Sequence, residues 1–119
     1  MAKSKIEIHN FLLAHRMVRS GHIWYPAADV CRIPEGWLVK VELAGVSPED
    51  VVIEVSRNKL FISGCRKDRA CRKYISFHQM EITYSHFEKE IQLPASLENA
   101  QIEKAFDNGI LMIYIKPQQ

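Results

Sequence analysis

Any chemistry performed by this chain would have to come from its thiols, its imidazoles or its basic side chains. Three cysteines occur, Cys31, Cys65 and Cys71. Cys65 and Cys71 stand six apart with His78 beyond, and no common zinc spacing has that form. An odd, sparse set fits a reducing compartment better than a disulfide framework, so a cytoplasmic protein with structural or incidental thiols is expected. A thiol switch is the sharper alternative, because Cys71 lies among arginines and a lysine that would lower its pKa. The histidines His9, His15, His22, His78 and His86 show no ligand pattern and read as ordinary surface or half-buried residues. Neither G-x-x-x-x-G-K-[ST] nor G-x-G-x-x-G is present, so no phosphate-cradling loop is expected. Nothing in the sequence brings a serine, a histidine and an aspartate together. No enzyme is expected, and no catalytic, cofactor-binding or metal-binding residue is assigned.

The densest charge lies in "CRKDRACRKYISFHQM", where Arg66, Lys67, Arg69, Arg72 and Lys73 face only Asp68. The simple reading is a solvated basic loop. Nucleic-acid binding is the sharper one, but no aromatic is interleaved before Tyr74 to stack on bases. The net charge of the 119 residues is only +2, which supplies no bulk field for a polyanion, and no specific nucleic-acid partner is expected.

The elements that position these residues follow from composition and periodicity. Hydrophobic content of 47% and charged content of 25% are those of a globular domain. The longest apolar runs are too short to span a membrane. "FLLA" after Lys3 and Lys5 is too short for a secretory core, and no cleavage signal follows. Near the N-terminus, Ile8, Phe11, Leu12 and Met17 fall near helical spacing, predicting a short amphipathic helix over Ile8–Val18. Such a helix is marginal alone and needs a surface, either its own domain or other chains.

From Tyr25 onward the period is two. Trp37, Val39, Val41 and Leu43 share one face, as do Val51, Ile53 and Val55. Leu60 and Ile62 oppose Phe61. Phe87, Lys89, Ile91 and Leu93 align against Glu88, Glu90 and Gln92. In "ILMIYI" both faces are apolar, so that strand should be central or sandwiched. Asn58-Lys59 reads as a short turn with Asn in the left-handed conformation. Asp107-Asn108-Gly109 is a strong hairpin signal. Ser47-Pro48-Glu49-Asp50 reads as a helical turn capped by Ser47. Pro34, Pro94 and Pro117 fall where strands should end. The pattern predicts an all-β, immunoglobulin-like antiparallel sandwich.

"ELAGVSPEDVVIEVSRNKLFISG" (Glu42–Gly64) resembles the small heat shock protein family, the α-crystallin or Hsp20 domain, in its bacterial type. That family shows E-L-x-G-V, then x-x-E-D, a strand, an Asn turn and L-x-I-x-G. "YSHFEKEIQLP" resembles its Y-G-x-F-x-R-x-F-x-L-P. "AFDNGILMIYI" resembles its A-x-x-x-N-G-V-L, with Asn108, Gly109 and Leu111 in register and the alanine off by one. Lys89 stands where the family usually has Arg, losing the planar fork that pairs two carboxylate oxygens. Ser85 replaces the usual Gly, and Ile82 follows Glu81 where Arg is common.

The resemblance implies three parts: an N-terminal arm (1–24), an α-crystallin domain (25–117) and a residual tail (118–119). It implies an ATP-independent holdase of the stress response that covers apolar surface on partly unfolded clients. A co-chaperone or protein-binding module of the p23/CS type is the alternative, and a dimerisation unit with little client binding is a third. Ile6, Ile8, Phe11, Leu12, Leu13, Met17 and Val18 form the implied client-binding arm. Arg69, Cys71, Arg72, Lys73, Tyr74, Ile75 and Ser76 form the implied swapped strand of a homodimer. Its receiver on the partner is Ala28, Val30 and Arg32. The family's I-x-I tail docks in a groove that corresponds here to Val51, Ile53, Val55, Ile102 and Phe106. Only four residues follow Ile115, so the expectation is a dimer or small assembly, unless Ile6-Glu7-Ile8 fills the groove.

Overall fold

The computed structural model describes residues 23–69 and 76–118. Eight strands follow in order: β1 (Ile23–Trp24), β2 (Ala28–Ile33), β3 (Gly36–Glu42), β4 (Val51–Ser56), β5 (Lys59–Cys65), β6 (His86–Gln92), β7 (Gln101–Asp107) and β8 (Ile110–Lys116). They form two four-stranded sheets, ordered β1-β6-β5-β4 and β2-β3-β8-β7. Every pairing is antiparallel except the short β1–β6 contact, which is parallel. The expected β-sandwich is therefore the fold.

Alternation explains the two layers. Val39, Val41 and Leu43, Leu60 and Ile62, Phe87, Ile91 and Leu93, and Leu111, Ile113 and Ile115 all point inward and are buried. Each side chain buried this way contributes about 1.5–3 kcal/mol relative to exposure. Trp24 meets Phe87 edge-on with ring centroids 5.7 Å apart. Strand β8 is central in its sheet, between β3 and β7, as its apolar sequence predicts. It is covered on one face only among the described residues. Ile110 and Met112 are half-buried on the outer face, and Tyr114 is 40% exposed there.

The turns carry two corrections. The β4–β5 turn is Arg57-Asn58, and the left-handed residue is Arg57, with φ 59°, rather than Asn58. Asn58 serves instead through its side chain, which donates to the Leu93 carbonyl at 3.0 Å. Pro48–Asp50 forms a 3-10 turn, but Ser47 makes no side-chain cap. Its hydroxyl donates to the Glu49 carboxylate at 2.8 Å, which lowers the pKa of that carboxyl. The β7–β8 hairpin is as expected: Asn108 and Gly109 both have positive φ, 49° and 82°, and make the two-residue turn that matches strand twist.

Gly64 is required by close approach. A Cβ there would lie 2.0 Å from the Asp50 carbonyl oxygen and 2.7 Å from Phe87 Cζ. Gly64→Ala is expected to lose about 1–3 kcal/mol by overpacking, and Phe87→Ala about 3–5 kcal/mol by cavity formation. Urea unfolding midpoints measure both. A Gly64→Ala protein as stable as the parent would contradict this packing.

Candidate functional site

A sandwich of two open sheets ends in strand edges, and the expected groove and receiver residues lie on them. Strands β1 and β2 are joined by only Tyr25-Pro26-Ala27, which places them on one flank. The opposite flank is then β4 and β7, the other ends of the two sheets. The connection from β6 to β7 is pinned there. Leu93 N–H donates to the Asn58 carbonyl and Leu97 N–H to that of Arg57, both at 2.8 Å. The start of β7 is thereby held beside the end of β4.

The five groove residues all face inward. Val51, Ile53 and Val55 pair across to Gly64, Ile62 and Leu60. Ile102 and Phe106 pair across to Ile115 and Leu111. Burial fades along this flank: Val51 is buried, Ile53, Ile102 and Phe106 are half-buried against the core, and Val55 is 39% exposed. The flank thus presents a half-covered apolar strip bounded by two strand edges. Lys104 shares the inward face between Ile102 and Phe106 and is exposed. A charge at that position discourages indiscriminate strand addition.

On the other flank, Ala28, Val30 and Arg32 also face inward, opposite Val41, Val39 and Trp37. Val30 is 44% exposed, and the Arg32 guanidinium lies 5.1 Å from the Trp37 ring centre. Among the described residues β2 pairs only with β3, so its second edge has no partner strand. Cys71, Arg72, Lys73, Tyr74 and Ile75 lie outside the described residues, as do Ile6, Ile8, Phe11, Leu12, Leu13, Met17 and Val18. Ser76 is exposed. Arg69 donates to Asp50 of its own chain at 2.6 Å.

The basic loop is not simply solvated. Lys67 lies 3.9 Å from the same Asp50 carboxylate, whose side chain is only 17% exposed. Arg66 is half-buried and fully committed. Its guanidinium stacks 3.8 Å from the Trp24 ring centre and donates to the carbonyls of Thr83 (2.9 Å) and Ala44 (3.1 Å). Its N–H donates to the Ser85 carbonyl at 2.9 Å. Burial pulls the Arg66 pKa down, while Tyr84 and Glu42 push it back up. Arg66 therefore closes the neck of the excursion that runs from residue 66 to 85. Periodicity does not reveal this role, because Trp24, Ala44 and Thr83 are distant in sequence. Beyond the neck, Phe77, Met80 and Ile82 are exposed, at 48%, 47% and 59%.

Among the described residues no group of three His, Cys, Asp or Glu could hold a metal ion. Cys31 and Cys65 are free, and burial raises the pKa of the Cys65 thiol, disfavouring the reactive thiolate. An open cleft of about 340 Å³ is lined by Ile33, Glu35, Gln101, Glu103, Tyr114, Ile115 and Lys116. Among the described residues no helix is long and apolar enough to cross a membrane.

With this geometry in place, comparisons with known proteins converge. Residues 29–119 match the Hsp20/alpha crystallin family. Small heat shock protein C2 of Rickettsia felis is 31% identical over 94 residues, covering 79% of this chain and 61% of its own length. Heat shock protein 16.0 of Schizosaccharomyces pombe superposes with a TM-score of 0.69 at 30% identity, over 79% of this chain and 87% of that one. HspA of Xanthomonas axonopodis gives a TM-score of 0.66 at 25% identity, over 82% and 97%. The chain spans between 41% and 61% of the length of the first curated relatives it matches.

Arg66→Lys keeps the charge but not the fork that reaches Thr83 and Ala44 together. It is expected to cost about 1–3 kcal/mol and to speed proteolytic cutting between residues 66 and 85. Limited digestion timed on gels measures the second effect. Cutting no faster than in the parent would remove Arg66 from the neck.

Proposed function

Because this chain belongs to the Hsp20/alpha crystallin family, we propose that it is an ATP-independent chaperone that holds partly unfolded proteins and prevents their aggregation in the cytoplasm. The observation that carries the reading is that family membership, supported by open strand edges and a half-buried apolar flank on the sandwich. A client displays apolar surface, and covering it yields about 25 cal/mol per Å² without any nucleotide. Ile6, Ile8, Phe11, Leu12, Leu13, Met17 and Val18 supply the adhesive surface.

The working unit is a homodimer. Strand β2, with Ala28, Val30 and Arg32, receives the partner's strand drawn from Arg69–Ser76. Strand addition supplies partners for backbone donors that an edge leaves bare, and reciprocal exchange gives a closed twofold dimer. Exposed Phe77, Met80 and Ile82 within the excursion support a contact there. The flank of Val51, Ile53, Val55, Ile102 and Phe106 takes a short segment with two branched side chains two residues apart, and Ile6-Glu7-Ile8 has that form.

Two experiments test these claims. A thermolabile enzyme is heated with and without this protein, and turbidity is followed without ATP. Suppression at a few-fold molar excess is expected. No suppression would overturn the holdase reading in favour of a module for one specific partner. Separately, Ile6→Ser with Ile8→Ser is expected to lower the particle mass measured by light scattering. An unchanged mass and unchanged suppression would exclude Ile6-Glu7-Ile8 from the flank.

A further inference from the structure

The outer face of the β2-β3-β8-β7 sheet carries an apolar strip with an acidic border. Register defines both. One row across the sheet reads Cys31, Leu38, Tyr114 and Glu103, and the next reads Asp29, Lys40, Met112 and Ala105. A third reads Glu42, Ile110 and Asp107. Ile110, Met112 and Tyr114 thus follow one another along β8, with Leu38 beside Tyr114. Tyr114 is exposed and the other three are half-buried. The strip runs about 14 Å from Ile110 to Tyr114. At the Tyr114 end it enters the open cleft of about 340 Å³, which Glu35, Glu103 and Lys116 also line. Gly36, opposite Ile33, adds no side chain to that end of the sheet. Two of the surrounding acids are engaged: Asp29 sits 4.0 Å from Lys40, and Glu42 acts on Arg66. Among the described residues Glu35, Glu103 and Asp107 make no ion pair within 4 Å. Three carboxylates therefore border the strip, offset only by Lys116.

We infer that this face docks a segment of another protein whose apolar side chains are flanked by lysine or arginine. The segment lies along β8 and places one basic side chain in the cleft between Glu35 and Glu103. Charge complementarity selects this occupant. A contiguous apolar strip with a polar rim is the form of a docking surface. Its rim is acidic, although the whole chain carries a net charge of +2. The preference for a basic partner is therefore local to this face and opposed by the bulk charge. Nucleic acid and anionic lipid are repelled by the same carboxylates. A second copy of the face would set three carboxylates against the same three, so self-association is disfavoured as well. The outer face of the other sheet offers no equivalent. Its rows are Val52-Ser63-Glu88, Glu54-Phe61-Glu90 and Ser56-Lys59-Gln92, polar except for Val52 and Phe61. An amphipathic helix of about nine residues has the length of the β8 strip.

This surface is separate from the β2 edge and from the β4 and β7 flank, whose side chains face inward. It does not depend on the holdase reading: a protein that fails to suppress turbidity can still bind a basic apolar segment here.

The test uses the full chain and three synthetic peptides of equal length: one of leucine and lysine, one of leucine and glutamate, and one of serine and lysine. Affinity is read by fluorescence anisotropy. Position is read from methyl-13C methionine, because Met112 is one of only four methionines and lies at the centre of the strip. Its signal is assigned by Met112→Leu. The leucine–lysine peptide is expected to bind and to shift the Met112 methyl, with each of the other two at least tenfold weaker. Glu35→Lys with Glu103→Lys, both at exposed positions, is expected to weaken the leucine–lysine peptide at least tenfold. Glu103→Gln alone, which keeps the side-chain shape, should weaken it about threefold, and added salt should weaken it further. Absence of binding would overturn the inference, as would binding that leaves Met112 unmoved. Equal affinity for the leucine–glutamate peptide would remove the charge selection. Equal affinity for the serine–lysine peptide would remove the apolar contact, and either result overturns the inference. Unchanged affinity in both glutamate variants would do the same.

Discussion

Among the described residues, the outer edges of β1, β2, β4 and β7 have no partner strand, and this shapes the molecule. Two four-stranded sheets can close over one apolar layer, but they cannot pair their own ends. An edge strand keeps donors and acceptors that only water or another chain can satisfy. Some inward side chains of β2, β4 and β7 share the problem. Val30, Val55 and Lys104 are inward by register yet exposed. The apolar core thus grades into partly exposed side chains at these edges.

Long-range ties keep these edges in shape while leaving them open. Asn58 joins the β4–β5 turn to the chain leaving β6, and so holds β7 beside β4. Arg66 joins three distant carbonyls beneath Trp24 and closes the neck of the 66–85 excursion. Asp50 gathers Lys67 and Arg69 at the same neck. These ties anchor the sandwich next to its open edges.

Period-two alternation made the strands legible, because it follows from the pleat and needs no knowledge of neighbours. The Asn108-Gly109 hairpin was legible for the same local reason: few residues tolerate two positive φ angles in succession. What escaped depends on partners far along the chain. Asn58 reads as a left-handed turn residue, yet its side chain serves Leu93 while Arg57 takes the positive φ. Arg66, Lys67 and Arg69 read as a solvated run, yet Trp24 and Asp50 claim them. The inward facing of the five flank residues follows once register is known, but their graded exposure needs the second sheet. The arm and Cys71–Ile75 lie outside the described residues, so their assigned roles stand on the family resemblance.

Hydrogen exchange of the intact full-length protein tests the central claim most directly, because it reads edge pairing itself. If another chain completes β2, amides across Ala28–Ile33 should exchange nearly as slowly as those of the central strands β3 and β8. Rapid exchange along β2, with β3 and β8 still protected, would mean that the edge stays bare and would contradict the account.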